Sequence, residues 1–373
     1  MGQLGGRRRC LRADPGGKSK QGPSRPLRLF ASQAERRLLL AGTALVSTLI
    51  VGMPSPASAQ TVIVSTFPVN FTNNRNCVFV GSCVSIATLG FFAPINFTNS
   101  GNFAVAGFDA SAIFTATALP FSGITITNTG DLATAGILSH GIEAYTYSRN
   151  SPITIVNRSD LATIGRMASG IYAYTAARNS SISINNSGGM ATRGYDADGI
   201  YGGTYARNSD VSIMNSGDMV TRGVEAEGIY ATTRGTNSKL TVVNSGNITT
   251  RGGYADGIDA FGYGTNNDVR VVNSGDITTA GFYTVGIFAA TSKANSSVTI
   301  ANSGKIRANG VLGVGIDGRT YAPSSPLEIQ NSGDVSARSV GVYGYSVTST
   351  KIANSGSISA RSGLPSTPRA PGP

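Results

Sequence analysis

The chain has 373 residues, room for two or three ordinary domains, with 13% charged residues, 48 glycines and no tryptophan. That charge content is roughly half the usual share, which excludes an array of amphipathic helices, and hydrophobics at 40% exclude wholesale disorder. The formal charge of +11 sits mainly in residues 1–37, with ten Lys or Arg against Asp14 and Glu35; the remainder holds 20 basic and 17 acidic residues, which excludes a nucleic-acid reader, whose positive charge lies on its folded part.

The first element is a leader. Arg36-Arg37 precede an apolar run of 14 residues, Leu38 to Val51, short of the ~20 that span a bilayer as a helix. Pro54 and Pro56 break the run, and Ala57-Ser58-Ala59 supplies small residues for cleavage before Gln60. Residues 1–59 therefore read as a secretory signal with an extended basic N-region, a buried core helix being the competing reading. Cys10 leaves with it. Cys77 and Cys83 remain, a short loop apart, and in an oxidising compartment they read as a disulfide. A share in a metal site is the alternative, but it lacks partners nearby, since His140 is the sole histidine. Residues 60–98 are less repetitive, contain Pro68 and Pro94, and are expected to cap the strand edges that follow.

From residue 99 the chain repeats. Asn recurs every 29 residues from Asn99 to Asn331, most often opening Asn-Ser-Gly, and Asn354-Ser355-Gly356 follows after 23. Four places later stands an apolar residue such as Leu132, Leu161 or Ile248, and eight places later a Gly such as Gly136 or Gly281. A Gly-Ile pair such as Gly141-Ile142 comes next, then an alternating pair such as Ile153 and Ile155. The pattern predicts three short strands per repeat, separated by Gly and Asn turns. Helical spacing, the Leu-x-x-Leu-x-Leu pattern and the Ca-binding Gly-Gly-x-Gly-x-Asp nonapeptide are all absent.

What fits is an all-β, right-handed parallel β-helix over 99–360, with about nine 29-residue coils and three short strands in each. One coil cannot bury enough to offset the ordering of its own backbone, so coils stand only when stacked. The columns Asn150 to Asn295 and Thr134 to Thr279 also recur 29 apart, and their amides and hydroxyls are expected to hydrogen-bond up the stack, with Asn taking left-handed corners. Residues 361–373 are Pro-rich and expected to be disordered.

A signal sequence, paired cysteines near the mature start, and repeats of Asn-Ser-Gly-(Asp)-Ile-x-Thr-x-x-Gly and Gly-Ile-x-Ala together resemble the passenger of a bacterial autotransporter over residues 60–360. The resemblance implies an exported β-helical protein at the outer membrane or cell surface of a Gram-negative cell, or a secreted one, acting as an adhesin. Its implied partners are a host or neighbouring cell surface, a glycan or a protein, and no nucleic acid. The family's C-terminal barrel has no counterpart before Pro373, so the expectation is a truncated gene, a barrel on another chain or a protein that is simply exported, periplasmic if it has no translocator.

Two surfaces could carry chemistry. Alternation puts Tyr172, Tyr201 and Tyr230, with Tyr145 and Tyr174, on the outside, as a stripe suited to sugars or protein edges; the competing reading has stacked rings that only shield the ladders. Asp196, Asp198, Glu225, Glu227, Asp256 and Asp259 lie on three successive coils beside Arg193, Arg222 and Arg251. From this patch Asp198, Glu227 and Asp256 are the candidate metal ligands, with calcium the one ion envisaged and no other cofactor; a solvated charged corner is the competing reading. No catalytic residue is assigned, because a lone histidine builds no triad. The function class is thus a non-enzymatic surface protein, with a secreted β-helical polysaccharide lyase or hydrolase as the alternative.

Overall fold

Each repeat folds as the alternation requires. In the coil formed by β10 (Ile142–Thr146), β11 (Ile153–Asn157) and β12 (Leu161–Ile164), the inward residues Ile142, Ala144, Ile153, Ile155 and Leu161 are at most 1% exposed. The computed structural model describes residues 60–361, so the leader over 1–59 and the tail over 362–373 lie outside the described residues. Among these residues are 33 strands, numbered β1 to β33 in chain order, and no helix. They form three parallel sheets of eleven strands each, with every third strand adjacent, so the architecture is a right-handed parallel β-helix. Register sets like beside like, with Ile142 beside Ile171, Ile153 beside Ile182 and Leu161 beside Leu132. Eleven rungs at ~4.8 Å make a stack about 50 Å long.

Eleven rungs exceed the nine expected, because the solenoid begins earlier than the 29-residue period does. The segment read as a cap supplies strands in register with the rest: β1 (Thr61–Ser65) pairs Thr61 with Val84, β2 (Val69–Asn73) pairs Val69 with Ile95, and β3 (Cys77–Val80) pairs Cys77 with Phe103. These partners are 23 to 26 residues apart, and the shorter corners hide the repeat. At the other end β31 (Val340–Ser346), β32 (Thr350–Asn354) and β33 (Ile358–Ala360) close the stack.

The Cys77–Cys83 disulfide forms as expected and ties β3 to the corner that follows it, both sulfurs facing the core. Loop-entropy reasoning predicts that the double variant Cys77→Ser/Cys83→Ser loses roughly 2 kcal/mol of stability, read as a lowered denaturant midpoint.

Inside the stack runs an asparagine ladder. Asn99, read as the start of a polar turn, ends its strand pointing inward, and the column from Asn99 to Asn331 is at most 3% exposed. Each Nδ2 donates twice: to the Oδ1 of the next asparagine, as in Asn99 to Asn128 at 2.8 Å, and to the carbonyl two residues on, as in Asn99 to Gly101 at 2.8 Å. The ladder runs unbroken from Asn73 to Asn354. Glycine follows in Asn-Ser-Gly because the coils touch there: a Cβ on Gly217 would lie 1.9 Å from the Gly188 carbonyl oxygen. Ser159 takes that column in one coil, and its hydroxyl donates to the Thr129 carbonyl at 2.7 Å.

The other polar columns divide. Asn150, Asn179 and Asn208 occupy left-handed corners, at φ 58, 55 and 56, and hydrogen-bond up the stack at 3.0 and 3.2 Å, as expected. The threonines do not. Thr163, Thr192 and Thr221 each donate within their own coil, to the carbonyl five residues on, at 2.5 to 2.7 Å, because the hydroxyl meets the corner before it meets the next rung.

Candidate functional site

The outward face of the first sheet is built by the residues that alternate with the inward isoleucines. One file runs Phe114, Glu143, Tyr172, Tyr201, Tyr230, Asp259, Phe288, each beside the next in register. The rings pack on one another: Tyr172 and Tyr201 stack at 4.4 Å, Tyr201 meets Tyr230 edge-on at 5.3 Å, and Tyr145 lies 5.7 Å from Tyr172 and 6.0 Å from Tyr174.

That packing corrects the expected solvent-facing stripe. Tyr145, Tyr172, Tyr174 and Tyr230 are buried, at 3% to 8% exposure, and Tyr201 is half-buried. Alternation placed them on the outer face correctly, but an outer face dense with large rings covers itself. Burial pushes the Tyr174 phenol up to about 12, against the pull of Arg234, and raises those of Tyr172 and Tyr201.

Sequence reasoning missed a cation in this face. Arg234 lies between the rings of Tyr205 and Tyr263, its guanidinium 4.6 and 4.8 Å from their centroids, all three in one 29-spaced column. That spacing was the available signal. Further along, Arg319 grips Asp317 with two bonds, Nε to Oδ1 at 2.7 Å and Nη2 to Oδ2 at 2.6 Å.

The acidic patch is real in position but is no solvated corner. Asp198, Glu225, Glu227, Asp256 and Asp259 are all buried, and Asp196 and Glu225 sit in left-handed corners at φ 55 and 54. Arg193, Arg222 and Arg251 point outward at the ends of their strands and are exposed. One column explains much of the burial: its side chain accepts the backbone N–H of the residue 29 later. Asp198 Oδ1 accepts from Glu227 at 2.9 Å, Asp256 Oδ1 from Val285 at 2.6 Å, and His140 Nδ1 from Ser169 at 3.0 Å. His140 is therefore a buried structural acceptor.

One carboxylate oxygen each from Asp196, Asp198 and Glu227 comes within 4.8 Å of the others. Two of the three expected metal ligands are thus brought together, with Asp196 in place of Asp256. Such a set of hard oxygens suits calcium. A separate open groove of about 630 Å³ runs over the third sheet, floored by Ala104, Ala133, Ala162 and Ala191 and edged by Asp131 and Asp160.

Compared with protein-family models, curated proteins and solved structures, the chain gives no match.

Proposed function

We propose that this chain is an exported, non-enzymatic β-helical surface protein of the autotransporter-passenger type, holding a stiff flank out for attachment to a cell surface or a glycan. The observation that supports the reading most is where the reactive side chains are spent. His140, Asp198 and Asp256 each accept a backbone N–H from the next coil, so the groups a catalyst would need hold the stack together. What the stack leaves accessible is a continuous flank, including the groove over the third sheet. Export rests on the leader.

Attachment of the purified chain to cells and to an immobilised glycan panel tests this. Ala133→Arg with Ala162→Arg, both at exposed outward positions, should fill the groove and abolish attachment while the β-type circular dichroism is unchanged. Attachment equal to that of the unaltered chain removes the groove from the account.

The cluster of Asp196, Asp198 and Glu227 favours one second reading, a secreted polysaccharide lyase or hydrolase that uses calcium. Calcium-dependent cleavage of an acidic polysaccharide, lost in Asp198→Asn, would establish that reading and overturn the first.

A further inference from the structure

The corner between the first and second sheets changes character along the stack. In coils four to six it carries two regular columns, Arg149, Arg178, Arg207 and Asn150, Asn179, Asn208, all but half-buried Asn150 exposed. In the two coils before them three of the four matching positions are aromatic, with Pro120 at the fourth. Phe91 stands where the arginines stand, and Phe92 and Phe121 stand where the asparagines stand. The ladder confirms the alignment, since Phe121 N–H donates to the Arg149 carbonyl as Asn150 N–H donates to that of Arg178.

Those aromatics are costly to keep. Phe92 and Phe121 take left-handed backbone, φ 53 and 60, which a bulky L-residue tolerates poorly and asparagine tolerates well. Burial does not compensate, for Phe92 is 64% exposed and Phe121 40%. Phe67 at 75% and Phe91 at 62% widen the patch, and the Phe92 and Phe121 rings stack at 4.8 Å. Strain retained at an exposed site, where the mutual stack of two rings is the main packing return, points to a use outside the core.

The neighbouring charges say what it fits. The corner segments 66–68, 89–94, 118–123, 147–152 and 176–181 contain no carboxylate and only Arg149 and Arg178 as charged residues, while the sixth-coil segment 205–210 adds Arg207 and, at its far end, Asp210. Arg149 reaches to 6.0 Å from the Phe121 ring. An aromatic tip that leads directly into a basic column is the pattern that enters the interface of an anionic bilayer.

We infer that this corner docks on an anionic phospholipid surface, with the phenylalanines inserted at the headgroup level and the arginines on lipid phosphates. The inference goes beyond the attachment reading and involves a different flank.

The chain's lack of tryptophan gives a local probe. In full-length Phe91→Trp, vesicles of equal parts phosphatidylcholine and phosphatidylglycerol should shift the emission to the blue, and brominated acyl chains should quench it. Pure phosphatidylcholine should bind at least about tenfold more weakly. Adding Phe92→Asn and Phe121→Asn should abolish the shift and raise Tm by a few degrees, because asparagine relieves the corner. Adding Arg149→Ser, Arg178→Ser and Arg207→Ser should weaken binding about tenfold or more and flatten its salt dependence. The inference fails if no vesicle shifts or quenches the emission, if free inorganic phosphate produces the same shift, or if the two asparagines leave binding intact. It also fails if the tryptophan shifts without vesicles as concentration rises and the asparagines prevent this, which assigns the corner to a second copy of the chain.

Discussion

Asn215→Ala should lower the unfolding free energy by roughly 3–5 kcal/mol, far more than the loss of one polar side chain from a surface turn. Asn215 is 2% exposed and sits mid-ladder. Its Oδ1 accepts from Asn186, and its Nδ2 donates to Asn244 Oδ1 and to the Gly217 carbonyl, all at 2.8 Å. Alanine orphans one Asn186 proton, the Gly217 carbonyl and the Asn244 oxygen together, in a dry interior where each unmet group costs about 1–3 kcal/mol. Two comparisons isolate the cause. Asn354→Ala, on the exposed last rung, removes the same kind of bonds where water replaces them, and should cost under about 1 kcal/mol. Asn208→Ala, at an exposed left-handed corner, should cost about 1–2 kcal/mol, chiefly through backbone strain, since water replaces its bond to Asn179. Denaturant midpoints, with hydrogen exchange to locate the loss, give the ranking; equal small effects at 215 and 354 would show that the ladder adds nothing beyond the backbone.

That same ladder marks where the sequence could be read and where it could not. Ile142, Ile171 and Ile200 were legible as core because stacking in register needs an apolar residue at one phase of the repeat, and a fixed period exposes the phase. Cys77 and Phe103 occupy one column as surely, but at a spacing of 26 rather than 29 the period misses them. Asn99 read as a turn because polarity suggests the outside; its inward aim depends on amides above and below, and only stacked coils supply those. The Thr163 hydroxyl found its partner across its own corner, which no column reveals. For the site, spacing located Asp198 and Glu227. It could not show their role, since the same column contains Ser111, His140 and Ser169, which share little beyond an acceptor atom. Tyr172 was legible as outward, yet alternation says nothing about how far an outer face covers itself.

Buried tyrosines should also make this solenoid sensitive to alkali. The Tyr174 and Tyr321 phenols are raised from 10.0 to about 12, in both cases chiefly by burial, and those of Tyr172, Tyr201 and Tyr205 are raised as well. A phenol with a higher pKa in the folded chain keeps its proton where the unfolded chain has released it. Its contribution is therefore complete below pH 10.0 and is lost as the pH rises towards about 12. For Tyr174, 4% exposed, that loss amounts to roughly 3 kcal/mol across the window, and the neighbouring tyrosines add slopes of the same sign. Denaturant midpoints should thus stay level through neutral pH and fall steeply beyond pH 10.0, while Tyr174→Phe, which has no proton to lose, should fall less steeply. Arg234 and Arg319 oppose the shift at Tyr174 and Tyr321, so Arg234→Met should push the Tyr174 phenol higher still and steepen the fall. If the phenols ionise near 10.0 in the folded chain and stability is flat to that point and beyond, the rings are wet and the packed aromatic face is wrong.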